Sequence, residues 1–347
     1  QADDGEDNSG SVRVYQFKGG SWSLLGDQIN GLVAQEKSGS SVSLSADGTI
    51  LAVGSPYNSE ISASAGLVRT YTYDSANSKW DLTDTVKPLY SPTNNAAKKI
   101  SVQFGNDVRL SSDGKTLAVG DIWFSKRNKT KAGRAMIYRF DGTEWQILGD
   151  HFSITGDEGD DNLGWALSLS ANGNIIAVGA HENDTDRSNA GIVKVYYWNG
   201  TAWIEKDVVK NPDYAESSGN EDAAGDKFGS AIDLNSSGLI LAVGASIDKS
   251  GGKSGQGSVH TFIWDETNYV ALGEDSGQQE ILGDNILDFF GAQLSLDNEG
   301  NTLVVMAPGY GSDKGQVKVY NYNGTKWEQS PTSYDFDGEE DNNQSSG

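Results

Sequence analysis

One short phrase returns along the chain, and this repetition limits the possible fold more than any other feature of the sequence. Each copy joins a strand-like run to a strongly apolar run through a glycine-containing turn. The five copies are SLSADGTILAVGSP from Ser43, RLSSDGKTLAVGD from Arg109, SLSANGNIIAVGA from Ser168, DLNSSGLILAVGA from Asp233 and SLDNEGNTLVVMAP from Ser295. Asp-Gly between two such runs is a strong signal of a β-hairpin with a type I′ turn, in which both central residues have positive φ. The sequence therefore predicts one hairpin per repeat.

The repeat extends beyond this hairpin and contains four strand-like runs, here called a, b, c and d. Strand a follows an aromatic-Gly or Leu-Gly pair, strand b contains the Ala-Val-Gly core, and strand c begins after a further glycine. The pairs are Phe104-Gly105, Leu163-Gly164, Phe228-Gly229, Phe290-Gly291 and a degenerate Ser38-Gly39, and strand d opens on Trp80, Trp145, Trp203, Tyr269 or Trp327. Residues Gly10 to Trp22 supply one more pair of strands c and d. Four short antiparallel strands in a unit of about 60 residues are typical of a β-propeller blade.

We therefore predict an all-β fold, namely a β-propeller with five complete four-stranded antiparallel blades and the outer half of a sixth. The ring would have six blades, or seven in a longer parent chain. The predicted boundaries within one domain are residues 1–32 for the half blade, 33–92, 93–154, 155–212, 213–278 and 279–333 for the blades, and 334–347 for the lead-in to the split blade. Because uncovered strand edges are a liability, we expect the inner hairpin of the split blade to exist, in a longer parent chain or donated by a neighbouring copy.

Strands b and c differ in their hydrophobic pattern. Strand b is apolar at consecutive positions, as from Ile50 to Val53, which favours a strand that is covered on both faces. Strand c alternates more strictly, as in GIVKVYYW from Gly191, which is typical of a half-exposed strand. No helix is predicted.

The combination of Phe-Gly, a hairpin and residues such as Ala-Val-Gly-Ala resembles the FG-GAP repeat, known from the propeller of integrin alpha subunits and from many secreted repeat proteins. The resemblance covers nearly the whole chain and implies a propeller that is secreted or displayed at the cell surface. Integrin-type blades carry a calcium loop, D-x-[DN]-x-D-G-x-x-D, between strands a and b. The nearest match here has Asp233, Asn235 and Ser237 but ends at Leu241. We therefore expect no calcium in these loops.

The formal net charge is −23, so the field around the protein repels nucleic acid. No apolar run approaches the roughly 18 residues of a membrane span, which predicts no membrane insertion. The chain has no cysteine, which excludes disulfides and thiolate metal sites. Six N-x-Ser/Thr sequons would be glycosylation sites in a secretory setting. The expected partners are proteins or carbohydrates at the cell surface or in an extracellular matrix.

Acidic residues recur three positions before the repeat glycine. They are Asp161, Asp226 and Asp288, with Glu36 in the first copy. If the chain binds a cation such as Ca²⁺, these carboxylates are the candidate metal ligands. The alternative is that each acid caps the turn into strand a by accepting backbone N–H groups, as Asx turns do.

A second anomaly is the basic loop after strand b of the second blade. It contains Trp123, Phe124, Lys126 and Arg127 in an otherwise acidic protein. Aromatic and charged residues on a loop suit contact with a sugar or a protein, and pairing within the chain is the alternative. Trp165 is also a ligand-binding candidate, since other copies have small or polar residues there; the alternative is that it fills a gap between blades.

Catalysis finds little support in the sequence. The three histidines, His151, His181 and His260, lie in different repeats without metal-ligand spacing. We therefore expect a secreted or surface-displayed, non-enzymatic propeller for adhesion or recognition. A structural building block of an extracellular assembly is the first alternative. The second is a carbohydrate-active enzyme whose carboxylate site the sequence does not locate.

Overall fold

The computed structural model describes residues 8–88, 103–126, 128–150, 154–184, 188–212, 225–249, 252–273 and 280–330. Antiparallel strands make up nearly all of the regular structure, and they form four-stranded sheets in the order a, b, c, d. The predicted fold class, a β-propeller of four-stranded blades with a further half blade, is confirmed. The predicted lead-in 334–347 lies outside the described residues, and the other domain boundaries stay predictions.

The chain divides into two compact units, and each is described by itself. The first unit comprises residues 1–176 and 197–204, and the second comprises 177–196 and 205–347. The half blade and blades one and two belong to the first unit. Their strands are β1 Ser11–Val12, β2 Tyr15–Lys18, β3 Ser21–Leu24, β4 Ile29–Asn30, β5 Ser41–Leu44, β6 Ile50–Ser55, β7 Leu67–Asp74, β8 Lys79–Val86, β9 Phe104–Leu110, β10 Thr116–Asp121, β11 Arg134–Phe140 and β12 Trp145–Ile147.

Blades three, four and five complete the described chain. Blade three contains β13 Leu167–Leu169, β14 Ile175–Ala180, β15 Ile192–Trp198 and β16 Trp203–Lys210. Blade four contains β17 Phe228–Leu234, β18 Ile240–Ala245, β19 Ser258–Trp264 and β20 Tyr269–Ala271. Blade five contains β22 Gln293–Leu296, β23 Thr302–Ala307, β24 Gln316–Tyr322 and β25 Trp327–Gln329, with β21 Ile281–Leu282 before it and a short helix α1, Tyr310–Asp313, between β23 and β24. The helix is a departure from the sequence prediction.

Glycines set the distance between neighbouring blades. A Cβ atom on Gly54 would lie 2.2 Å from the carbonyl oxygen of Gly105 in the next blade. A Cβ atom on Gly120 would likewise lie 2.2 Å from the carbonyl oxygen of Gly164. The glycine of Ala-Val-Gly and the glycine of Phe-Gly therefore form one contact. In the fifth blade Met306 occupies the Ala-Val-Gly glycine position and is 42% exposed.

An aromatic pair joins the end of strand c to the start of strand d in every blade. In blade one the rings of Tyr73 and Trp80 have centroids 5.2 Å apart, and the other blades repeat this geometry. The indole Nε1 of Trp80 also donates to the carbonyl of Leu25, at 2.9 Å. These aromatic residues therefore bind strands to each other and to the preceding repeat.

Two local predictions are wrong. The first five residues of strand c are buried in blades one to four, because neighbouring blades cover it on both faces as they cover strand b. The turns between strands a and b are not type I′. In the first, Gly48 alone has positive φ, +69°, and its N–H donates to the carbonyl of Ser45 at 2.9 Å. The loop is longer than the two residues that a type I′ hairpin allows.

In the first, third and fifth repeats, the lead-in pairs with strand c of the preceding repeat. Strand β4 pairs with β1, and β21 pairs with β19 through Ser258 opposite Leu282. The lead-in, the end of strand b and the start of strand c therefore meet at one edge of a blade, called here the b–c edge.

Candidate metal centre

A buried basic residue marks the b–c edge of several blades. It stands on strand c, opposite the valine of Ala-Val-Gly: Arg69 faces Val53, and Lys318 faces Val305. Each basic side chain pairs with a carboxylate. The guanidinium of Arg69 lies 2.9 Å from Glu36, and the ammonium of Lys318 lies 2.6 Å from Asp284. In blade three the corresponding Lys194 lies 3.7 Å from Glu205 of strand d, and in blade two the position holds Met136.

Blade four differs at this position, because His260 faces Val243. The Nε2 atom of His260 lies 4.0 Å from Oδ2 of Asp248 and 4.0 Å from Oε1 of Glu280. Asp248 comes from the loop after strand b and Glu280 from the lead-in just before β21. Strand pairing thus brings together three side chains that are far apart in the sequence.

Ser258 completes this cluster. Its hydroxyl donates to Oδ2 of Asp248 at 2.5 Å and lies 3.1 Å from Nε2 of His260. Asp248, Ser258 and His260 are buried, whereas the Glu280 side chain retains 16% exposure. The cluster therefore meets solvent on the side of Glu280.

The electrostatics of the cluster follow from burial. Burial lowers the pKa of His260 to about 4, and the nearby Asp248 carboxylate opposes this shift. The imidazole is therefore neutral at pH 7. Where blades one, three and five place a permanent cation beside a carboxylate, blade four places a neutral ring beside two carboxylates.

The donor set fits a divalent metal ion. One imidazole nitrogen and two carboxylate oxygens lie within 4.8 Å of one another, and no other such group occurs in the part of the chain that the structure describes. Bonds of about 2.0–2.2 Å to one metal ion place neighbouring donors roughly 3.0–3.5 Å apart, so the two 4.0 Å distances would shorten slightly on metal binding. Imidazole and carboxylate together suit ions such as Mn²⁺ or Zn²⁺. Asp248, His260 and Glu280 are a candidate metal centre and are called here the metal centre.

The four predicted acidic ligands lie elsewhere, and each is buried. Glu36 accepts two bonds from Arg69, at 2.9 and 3.1 Å. Asp161 accepts the backbone N–H groups of residues 157 and 158, at 3.0 and 2.8 Å, and Asp288 accepts that of residue 285 at 2.7 Å. Asp226 accepts a bond from the Asn211 amide at 3.3 Å. None of the four belongs to the metal centre, and two of them cap the turns that lead into strand a.

The basic loop makes contacts within its own unit. Phe124 is buried, and the Arg134 guanidinium lies over its ring at 4.0 Å from the centroid. Trp123 is half-buried, with the Lys131 ammonium 5.4 Å from its ring. The Nζ of Lys126 donates to Thr155 at 3.0 Å. Arg127 lies outside the described residues. Trp165 is 40% exposed, and its carbonyl accepts a bond from Asn106 at 3.3 Å.

Sequence reasoning missed the metal centre because it looked for metal-ligand spacing between histidines. The signal was the repeat position. His260 aligns with Arg69, Lys194 and Lys318, and with Met136 in blade two, so this is the repeat position at which blade four has an imidazole. The carboxylate partners carry no signature of their own in the sequence.

No family model matches the chain, and no curated protein matches it. Solved structures are similar in fold. The periplasmic gluconolactonase PpgL of Pseudomonas aeruginosa has a TM-score of 0.56 at 14% identity, over 92% of this chain and 76% of that one. A proposed 6-phosphogluconolactonase from Bacteroides uniformis ATCC 8492 has a TM-score of 0.48 at 14% identity, over 94% of this chain and 92% of that one. At this identity the likeness establishes the fold alone.

These comparisons correct the expected function. We predicted a non-enzymatic propeller for adhesion or recognition, and the similar structure with a TM-score of 0.56 carries the name of an enzyme instead. Both the adhesion prediction and the prediction that the chain is not an enzyme are therefore wrong on this evidence. Within the described residues, no helix has the length and apolarity that crossing a membrane requires.

Proposed function

We propose that this protein is a metal-assisted hydrolase of cyclic esters of sugar acids, with Asp248, His260 and Glu280 as its metal centre. One observation carries the proposal. At a repeat position that holds Arg69, Lys194 and Lys318 in three blades and Met136 in blade two, blade four has His260, whose neutral ring lies 4.0 Å from each of two carboxylates. A divalent cation bound by these three side chains would bring a positive charge to this position.

The residues of the centre have distinct roles in this proposal. His260 offers a neutral nitrogen ligand, and Ser258 holds the Asp248 carboxylate in place through its 2.5 Å hydrogen bond. Glu280 faces solvent, so the substrate arrives on its side. A divalent ion bound there would polarise the ester carbonyl.

Hydrolysis of a cyclic ester adds one water across the acyl C–O bond. A base must take a proton from the attacking water, and the departing ring oxygen must receive one. Glu280 is the carboxylate that can reach a solvent molecule, because Asp248 is fully buried. The Glu280 oxygen that does not bind the ion would accept the first proton and return it to the alkoxide, so that the product is the open-chain hydroxy acid.

The substrate class rests on the fold. The similar structure with a TM-score of 0.56 is named a periplasmic gluconolactonase. We carry two features of that name to this chain as proposals: a sugar-acid lactone as substrate, and a location outside the cytoplasm. Sugar-derived substrates also fit the carbohydrate partner expected from the sequence. The FG-GAP type of the repeat is a further proposal, supported by the close contact of Gly54 with Gly105.

The test combines metal binding with activity. Isothermal titration with Mn²⁺, Zn²⁺ and Ca²⁺ should give one site per chain, and pH-stat assays on a panel of aldonolactones should show metal-dependent turnover. The His260→Lys variant installs the cation of other blades, so it should stay folded while metal affinity and turnover fall roughly 100-fold. Glu280→Gln should reduce turnover strongly, and it should change the free energy of unfolding only slightly.

The matched control is His181→Gln, which changes a second buried histidine outside the metal centre. It should leave metal affinity and turnover unchanged. If folded His260→Lys kept full metal affinity, the metal centre would be wrong. If the wild type bound metal at this site and hydrolysed none of the lactones, the centre would stand and the substrate class would be wrong.

A further inference from the structure

The half blade leaves an uncovered strand edge in the first unit. Strand c of each complete blade lies between strands b and d, whereas β2 pairs with β3 alone. Every residue of β2 and β3 is exposed. Among the described residues, nothing occupies the side of β2 where strand b would lie.

Tyr15 on β2 is exposed at a repeat position that is buried in the complete blades. It is 52% exposed, whereas the residues at the same repeat position are at most 7% exposed: Tyr71, Tyr138, Tyr196, Phe262 and Tyr320. In the second blade this ring packs edge-on against the phenylalanine of Phe-Gly, with the centroids of Phe104 and Tyr138 6.4 Å apart. Blades four and five repeat the contact at 6.1 and 6.2 Å. Tyr15 therefore lacks the ring at the start of a strand a.

Strand a of blade one is uncovered as well. Val42 and Leu44 are 46% and 44% exposed, whereas their equivalents Val108 and Leu110 in blade two are 0% and 8% exposed. Those equivalents belong to a cluster that includes Ala52, on strand b of the preceding blade. Val42 and Leu44 therefore lack the apolar residues of a preceding strand b.

Both uncovered surfaces belong to one packing arrangement. Val12 and Val14 of the half blade pack with Leu51 and Val53 of blade one, so the half blade stacks on blade one as a complete blade would. The strands a and b that would complete the half blade would then lie against β2 on one side and against β5 on the other. Tyr15, Val42, Leu44 and the edge of β2 are called here the open face.

We propose that the open face is the docking site for a β-hairpin of the repeat's own type, with Phe-Gly at its start and Ala-Val-Gly at its end. Its strand b adds to the free edge of β2 through main-chain hydrogen bonds. Its strand a places a phenylalanine on Tyr15. A second copy of this chain is not the donor, because each of its five hairpins of strands a and b already belongs to a blade. This inference does not depend on the proposed enzymatic function.

The probe is a synthetic peptide with the sequence of residues 104–121, FGNDVRLSSDGKTLAVGD, which forms the hairpin of blade two. Isothermal titration should show one peptide bound per chain. Hydrogen exchange should show new protection of the amides of Tyr15–Lys18. A peptide with Gly105→Val and Gly120→Val is the control, and it should not bind, because these glycines allow the close approach of blades.

Variants locate the site. Val42→Asp places a charge on the open face and should weaken peptide binding by at least ten-fold, which is about 1.4 kcal/mol. Leu82→Asp changes a residue on β8 that is 51% exposed and lies outside the open face, and it should leave binding unchanged. Absence of binding at about 1 mM peptide, which means a binding free energy weaker than roughly −4 kcal/mol, would overturn the proposal. So would a dimer of the chain that Val42→Asp converts to a monomer, since the occupant would then be a second copy.

Discussion

Gly54 and Gly105 lie so close that a Cβ atom on the first would stand 2.2 Å from the carbonyl oxygen of the second. Gly54 belongs to the Ala-Val-Gly of blade one and Gly105 to the Phe-Gly of blade two. The two most recognisable motifs of the repeat therefore form a single contact between neighbouring blades. Neither glycine can be exchanged without separating the sheets.

Gly54→Ala should destabilise the fold by about 3 kcal/mol, because the added methyl must displace backbone. Chemical denaturation monitored by tryptophan fluorescence measures the change. Met306→Ala is the control at the same repeat position, where a side chain is already present and 42% exposed, and it should cost less than about 1 kcal/mol. An equal loss of unfolding free energy in the two variants would contradict the proposed importance of the contact between Gly54 and Gly105.

Glu36→Gln should destabilise the protein by about 3 kcal/mol, because it leaves the buried Arg69 guanidinium without its full countercharge. The carboxylate and the guanidinium are joined at 2.9 and 3.1 Å, and both residues are buried. The exposed pair of Lys79 and Asp81 offers the control, because solvent screens it. Asp81→Asn should leave the denaturation midpoint where it is.

Asp161→Ala should destabilise the protein by about 1–2 kcal/mol, since two backbone N–H groups lose their acceptor. The loss should be the same with and without millimolar Ca²⁺, because the carboxylate is engaged in capping the turn. Paired thermal melts measure both quantities. A loss that appears only in the presence of Ca²⁺ would assign Asp161 to a cation site instead.

The stability of the fold should fall as the pH drops from about 6.5 to 4, and His181 contributes to this fall. Burial, the largest cause, lowers its pKa from 6.5 to about 4, while Glu182 raises it and Lys227 lowers it. The unfolded chain therefore binds a proton in this range that the folded chain does not, which favours unfolding on the order of 3 kcal/mol at the acidic end.

His181→Gln should flatten this dependence, because glutamine does not titrate. Urea unfolding at several pH values between 4 and 7 measures the slope in the wild type and the variant. Identical slopes would mean that His181 is protonated to the same extent in the folded and unfolded states.

Much of the architecture could be predicted because the repeat is a local pattern. Apolar runs, turn glycines and the tryptophan that opens strand d predict strands, and their order predicts blades. The same reasoning was wrong for strand c, which it read as half-exposed. Alternation within one strand shows which residues share a face, but it does not show whether that face is exposed. The face of strand c that carries Arg69 or Lys318 is polar in part and is nevertheless buried, because a neighbouring blade covers it.

The candidate metal centre could not be predicted in the same way. Asp248, His260 and Glu280 come from a loop, a strand and a lead-in, and they meet only because β19 pairs with both β18 and β21. The repeat position of His260 was visible in the sequence, but its two carboxylate neighbours were not. Their positions depend on loops whose lengths differ between repeats.

The sequence by itself determined the all-β class, the number of complete blades and the half blade, because each depends on residues that are neighbours along the chain. Tertiary structure decided which charges are paired and which surfaces are covered, because those depend on the blade that packs alongside. Glu36 became the partner of Arg69, and Asp161 became a turn cap. Tyr15 and Val42 remained exposed where the same repeat positions are buried elsewhere, because burial requires a neighbouring hairpin that these residues do not have in the described chain.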